Sequence, residues 1–389
     1  MNEQGRNPFN QPRPHATDGR AIWQQYWQAL GQPWRTEPEI DQGRQQFLAA
    51  RRAIKPDIEQ EIYPFKDIEP SLARADLEWL LSTHEDGRGP VAWSDERQHT
   101  RIGLDMRGAM LRGIDIRGLP LARLRGGLTW DEWQQASDHQ RGMATVRINH
   151  NLEGTFLQGA ILRGMHLTGG LLTEAHLEEA DLAATLLDSS ILIKASLQGA
   201  NLVKAYLSAA ILDEVLLQGA NLQQAVLLEA YLEQAHLEEA DLRQAHMNGA
   251  TLCQAHLEGA DLRGASLKAA DLRGAFLDRR TQLQGVIFGD ERQPIGPCLA
   301  DVSWGGVDLR GINWETVQML RDEDIADQEK TVAGKRKDVA SRISEYQAAE
   351  RAYLQLVEVL QGQGAYESAL RFAERAQLVH EKLLALGAT

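Results

Sequence analysis

Eleven histidines and two cysteines are the side chains best suited to hold a metal or act as a nucleophile. His166, His176, His236, His246 and His256 all stand one residue before a position of a regular apolar series. Two imidazoles close together could bind zinc or copper, so a fold that brings His236 beside His256 makes that pair a candidate metal site. The same outer position carries Tyr206 and Tyr231, so histidine also fits there simply as a half-exposed wall residue. Cys253 and Cys298 do not make a disulfide framework; Cys253 reads as an outer-wall position and Cys298 as part of a loop. There is no phosphate-binding loop, dinucleotide fingerprint, nucleophile elbow or H-E-x-x-H zinc helix. Gly103, Gly108, Gly113 and Gly118 are spaced like corners and not like a phosphate cradle. The residues imply no catalytic group, no cofactor and no enzyme.

What must position these side chains is a repeat. From Leu152 to Leu277 a leucine returns every fifth residue, and Met247 is its one substitute. Two residues before each leucine sits a small residue, usually alanine, as at Ala195, Ala200, Ala205 and Ala210. A period of five fits neither a helix nor a strand, so it is read as an internal repeat. If four pentads close one square turn, leucine and alanine point inward and residues one turn apart stack at roughly 4.8 Å. The series then makes about 6.5 turns and a rod about 31 Å long. Each turn buries its leucines only against its neighbours, as in other solenoids.

The strings Ala180-Asp181-Leu182, Ala240-Asp241-Leu242, Ala260-Asp261-Leu262 and Ala270-Asp271-Leu272 resemble the A-(D/N)-L-x-x signature of the bacterial pentapeptide-repeat family. That resemblance implies a mainly β solenoid, a right-handed quadrilateral β-helix, here flanked by N-terminal helices and a C-terminal α-hairpin. The hairpin string Gly364-Ala-Tyr366-Glu-Ser-Ala369, with Phe372 and Ala376, resembles a single tetratricopeptide unit. Some relatives with this order of parts continue into a membrane-spanning segment that is not part of this sequence.

Around the repeat the chain reads as seven parts. Residues 1–20 form a disordered tail, and 21–100 an N-terminal helical region with Trp23, Tyr26, Trp27 and Trp34 as packing anchors. Within it, residues 38–55 and 71–82 are helices, the second capped by Ser71. Residues 101–124 make a first β-helix turn with Met106, Leu111, Ile116 and Leu121 inward. Residues 125–149 are an inserted helix opened by a Thr129/Glu132 capping box. The main β-helix occupies 150–278, and 279–320 a connecting loop and closing coil. The helical hairpin takes 321–389.

A net charge of −14 argues against direct nucleic-acid binding and against an anionic membrane surface. No apolar run is long enough to span a membrane, and the amino terminus has no signal-like core, so the expectation is a cytoplasmic protein. Residues 152–278 hold 17 acids against 7 bases. One outer wall gathers Glu178, Glu179, Glu238, Glu239, Glu258 and Asp278. Another stacks Leu171, Ile191, Ile211 and Tyr231, beside a ladder of Leu186, Tyr206 and Val226. Apolar ladders of this kind need a cover: a terminal helical element folded back along the wall, or a second subunit in a homodimer. The function expected is a scaffold that binds a protein partner through the acidic or the apolar wall. Two alternatives stand beside it: a duplex-DNA mimic that regulates a topoisomerase such as gyrase, which the resemblance implies, and a soluble regulatory module of a membrane or signalling assembly.

Overall fold

The computed structural model describes residues 13–111, 114–144, 147–148, 152–331 and 334–387; the first twelve residues of the expected tail lie outside these. The chain divides into two units, Met1–Thr185 and Leu186–Thr389.

The pentad builds the same local structure in both. Leu202 shows the pattern in the second unit: its N–H donates to the carbonyl of Asn221 at 2.7 Å, while the Asn221 N–H returns to Ala200 at 2.9 Å. Ala205 then turns the corner by donating to Leu202 at 2.9 Å. Backbone groups are thus satisfied between coils, so the interior needs only apolar side chains. Every residue at the leucine place from Leu152 to Leu277 is buried, as is every alanine two before it. Alanine fits because a larger side chain would collide where two walls meet. The result is the right-handed quadrilateral β-helix.

In the first unit, α1 (Arg20–Ala29), α2 (Gln42–Arg52) and α3 (Arg74–Ser82) precede the coils, followed by a short turn α4 (His84–Gly87) that is left-handed at Glu85 and Asp86. Trp23 and Trp27 of α1 are buried and stacked, their ring centroids 5.9 Å apart. Arg35 lies over Trp27 at 3.6 Å. Glu78 of α3, fully buried, accepts the backbone N–H groups of Thr36 and Glu37 and the Arg74 guanidinium. The start of α3 differs from expectation: Ala73, not Ser71, is its N-cap residue. The Ala73 N–H donates to Asp76 at 2.8 Å, while Arg44 holds the carbonyls of Pro70 and Ser71 in place before the helix. Arg74 donates to the carbonyls of Asp115 and Arg117 and so ties the helices to the first coil.

That first coil buries Met106, Leu111, Ile116 and Leu121. Parallel bridges join Asp105 to Arg125 and Pro120 to Phe156, and β1 (Met110–Leu111) pairs with β2 (Arg147–Ile148). The insertion therefore sits inside one coil and not between coils, and it is two helices, α5 (Trp130–Gln135) and α6 (Asp138–Ala144). Arg125 belongs to the β-helix wall, bridging to both Asp105 and Ile161. The Thr129/Glu132 capping box opens α5.

In the second unit the coils run on past the point where the period breaks. Asp261 bridges to Gln282, Ser266 to Ile287, Asp271 to Cys298 and Phe276 to Ser303. Residues 279–298 are therefore not a break but another coil with extra residues at its corners. Cys298 is correspondingly a fully buried wall residue, not a loop residue. Val302, Val307, Leu309, Ile312 and Trp314 fill the last partial coil.

Helices α7 (Arg321–Asp327), α8 (Val339–Gly362) and α9 (Tyr366–Gly387) close that end. Trp314 meets Phe372 of α9 edge-on at 5.6 Å, and Leu320 donates to the Tyr353 hydroxyl of α8 at 2.9 Å. Tyr353 in turn donates to Glu323 of α7, a fully buried carboxylate also paired with Arg375 and Lys382. The expected fold-back of the hairpin along the apolar wall is thus overturned. Its apolar face, Tyr353, Leu356 and Leu360, is consumed by α9 and the terminal coil, where an open core otherwise meets water. No described helix is long and apolar enough to cross a membrane.

Candidate functional site

Side chains on the outer walls are held in columns by the coils behind them, so each column is a fixed surface. The residue after each inward leucine leans back over the wall it follows. Asn248, for example, reaches Ser266 on the ladder of Tyr206, Val226 and His246, and Glu238 reaches His236. The next residue adopts positive φ, as at Lys204, Gln224 and Gln244, and leans over the wall it precedes. Each wall therefore has a central ladder and two rims.

The acidic residues occupy such rims. In the first unit Glu178 lies 3.4 Å from His176 Nδ1, and Glu179 is exposed at its corner. In the second, Glu238 and Glu258 accept from Nδ1 of His236 and His256 at 3.0 and 3.4 Å. Glu239, 67% exposed, pairs with Arg280 at 2.8 Å. Asp278 pairs with the same guanidinium and accepts the Gly259 N–H at 2.9 Å. Desolvation works against its charge, but Arg280 and these N–H donors outweigh it and hold the carboxyl at about 2. In the second unit the rim is therefore partly compensated, one Arg280 guanidinium serving both Glu239 and Asp278, while Glu238 and Glu258 are hydrogen-bonded to their histidines.

Sequence reasoning missed a related device. Asp241 and Arg243, Asp261 and Arg263, and Asp271 and Arg273 form forked pairs, and each aspartate also accepts its arginine's backbone N–H. The Asp-Leu-Arg spelling was the signal for it.

His236 and His256 do come together, with ring centroids 4.9 Å apart and planes 2° apart, and Phe276 continues the column at 4.7 Å. This stacking counts against the metal candidate. Nitrogens in parallel rings point the same way, and each Nδ1 is engaged by its own glutamate. Among the described residues, no group of three or more metal-ligating side chains is placed to hold an ion. Burial and the Asp271 charge push the Cys253 thiol up to about 12, and burial raises Cys298 as well, so neither is a ready thiolate.

The apolar columns stay open. Ile191, Ile211 and Tyr231 form one bridged ladder, and Leu186, Tyr206 and Val226 its neighbour. Tyr231 is 50% and Tyr206 45% exposed, and Leu228 on the corner between the ladders is 37% exposed. In the first unit Leu171 is likewise exposed. A shallow trough of about 520 Å³ runs between the rim of Lys204, Gln224 and Gln244 and the ladder of Tyr206, Val226 and His246. A similar trough of about 530 Å³ borders His236 and His256.

Eight copies of the family described as pentapeptide repeats match residues 171–208, 210–249 and 245–279. HetL, a pentapeptide repeat protein involved in heterocyst differentiation regulation from the cyanobacterium Nostoc sp. strain PCC 7120, is 30% identical; the match covers 53% of this chain and 83% of HetL, with a TM-score of 0.30. Full-length QnrB1, a plasmid-mediated fluoroquinolone resistance protein, is 16% identical over 43% of this chain and 93% of its own, with a TM-score of 0.22. No curated protein matches the sequence. The inward leucines and alanines, the square coils they build and the eight matched repeats lead to one assignment: this chain belongs to the pentapeptide-repeat family.

Proposed function

We propose that the chain is a non-enzymatic interaction scaffold, working in a bacterial cytoplasm, whose coils present fixed columns of side chains to a protein partner. The observation that carries this reading is the uncovered apolar corner of the second unit, where Tyr206, Leu228 and Tyr231 remain exposed although the chain's own hairpin is engaged elsewhere. Exposed apolar surface on this scale is characteristic of binding surfaces. The ladder Ile191, Ile211, Tyr231 is the contact face. Glu238, Glu239, Glu258 and Asp278 supply acceptors for a polar or basic partner surface on the second unit, and Glu178 and Glu179 would do so separately on the first. The forked Asp–Arg pairs weigh against duplex mimicry, because they cancel charge where a phosphate row would need it.

The test is affinity capture from the source cell followed by cross-linking and mass spectrometry. Cross-links from a specific protein should fall on these columns, and changing Glu238, Glu239 and Glu258 to lysine, or Ile211 and Tyr231 to serine, should abolish capture without lowering the melting temperature. Capture that survives both sets of changes sinks the reading. Inhibition of gyrase supercoiling by the purified chain would instead favour the topoisomerase alternative.

A further inference from the structure

Asparagine is followed by glycine once in the sequence, at Asn248–Gly249. Such a pair can react with itself. The Gly249 nitrogen gives up its proton to base and bonds to the side-chain carbonyl carbon of Asn248, and the side-chain nitrogen leaves as ammonia. Water then opens the cyclic imide on one side or the other, giving aspartate or isoaspartate. No oxidant or reductant is needed, and glycine favours the closure because no Cβ shields its nitrogen.

The stacked coils hold both reacting groups back. The Gly249 N–H donates to the Lys268 carbonyl at 2.9 Å, so the nucleophile is engaged in the ladder between coils. Asn248 Oδ1 accepts the Ser266 hydroxyl at 2.5 Å and the Lys268 N–H at 3.2 Å, which turns the electrophile toward the next coil. Ring closure requires these bonds to break, so the coils of Asn248 and Lys268 must part first.

The two products differ in whether they can return. Asp188 and Asp213 stand at the same place in their pentads and accept the N–H groups of Ser208 and Glu233, one coil on, at 2.9 and 3.0 Å. An aspartate at 248 repeats that bond. Isoaspartate instead routes the backbone through the former side chain, longer by a methylene, and leaves a free carboxylate where the Asn248 carbonyl accepted the Glu229 N–H at 3.0 Å. The pentad then slips at this corner. The corner itself does not demand the glycine: Gly249 has a φ of 69°, and Ala209 and Ala269 make the equivalent turn at 54° and 52°.

We propose that Asn248–Gly249 is a latent deamidation site, closed while the coils are stacked and released when they part, so that isoaspartate accumulates as a lasting mark on chains that have opened there. The inference goes beyond the scaffold reading and does not depend on it.

The full chain, incubated at mildly alkaline pH with and without guanidinium chloride, tests it. Peptides spanning residue 248 are followed by mass spectrometry, with an isoaspartate-specific methyltransferase as a second readout. Modification should be at least about tenfold slower in the folded chain, because only the open fraction reacts. It should rise along the unfolding transition of the second unit. Gly249→Ala should still fold, as the corners at Ala209 and Ala269 do, and should slow the reaction in denaturant by about tenfold or more. Asn248→Asp should refold like the parent chain, whereas chains carrying isoaspartate should not regain the native circular dichroism. Equal rates in the folded and the denatured chain, no modification at residue 248 in denaturant, or full refolding of the isoaspartate chains would each overturn the proposal.

Discussion

The side-chain amide of Gln363, at the turn between α8 and α9, accepts the N–H of Leu309 at 2.8 Å and donates to the carbonyl of Val307 at 2.7 Å. It gives the terminal coil the bonds that a following coil would have supplied. Gln363→Ala leaves a donor and an acceptor unmet beside buried Val307 and Leu309, and should cost about 1–3 kcal/mol for each unmet group. Gln363→Glu keeps the acceptor for Leu309 but turns a carboxylate oxygen onto the Val307 carbonyl, and should cost at least as much. Urea unfolding of the three proteins checks the order.

Leu222 is 1% exposed in the middle of the second unit. Leu222→Ala should cost about 2–5 kcal/mol by opening a cavity between coils. Leu222→Asp buries a charge with no partner and should unfold the unit. Far-ultraviolet circular dichroism against denaturant reads both, and an unaltered curve for Leu222→Asp would contradict the inward register.

Two glycines of the first unit separate backbone from packing. Gly164 and Gly169 both have positive φ, at 68° and 67°, but a Cβ on Gly164 would strike the Trp133 ring while one on Gly169 meets nothing within 4 Å. Gly169→Ala should therefore cost only the backbone term, about 1–2 kcal/mol. Gly164→Ala should cost about 1–3 kcal/mol more through the clash. Adding Trp133→Ala should recover much of that difference in melting temperature.

Asp322 gives the second unit a pH dependence. Burial pushes its carboxyl up to about 6, although Leu299 and Ala300 N–H groups donate to it. An unfolded aspartate titrates near 4. Between those values the folded chain holds a proton that the unfolded chain has lost, so this group's contribution falls as pH rises from about 4 to 6 and stays lost above, by about 3 kcal/mol at most. Asp322→Asn should flatten that slope, while its single amide oxygen can accept from only one of the two N–H groups. Denaturant midpoints taken across the window test the sign.

The interior was legible because one period governs it: every leucine place from 152 to 277 is inward. Where the period slips, sequence reading lost a coil that the backbone keeps. Arg279 and Arg280 add length at one corner and residues 289–295 at another, yet Ile287 and Cys298 stay in register with Ser266 and Asp271. The hairpin's apolar stripe was equally readable, but a stripe does not say what it meets. Trp314 and Phe288 decide that, by offering Phe372 an aromatic seat at the coil end. The stacking of His236 on His256 follows from their spacing, while the ring orientation that counts against a shared metal does not.

The two helices between Arg125 and Arg147 carry one more consequence. Met110 pairs with Arg147 in parallel, as Tyr206 does with Val226 in the second unit, whatever length of chain lies between. A residue's address in this architecture is its wall and its coil, not its number. Corners are therefore ports where whole folded segments can be spliced in without re-indexing the lattice, since loop closure charges little for added length. The corner at 289–295, already widened, is where a grafted peptide or a small domain should be carried with the least disturbance to the columns beside it.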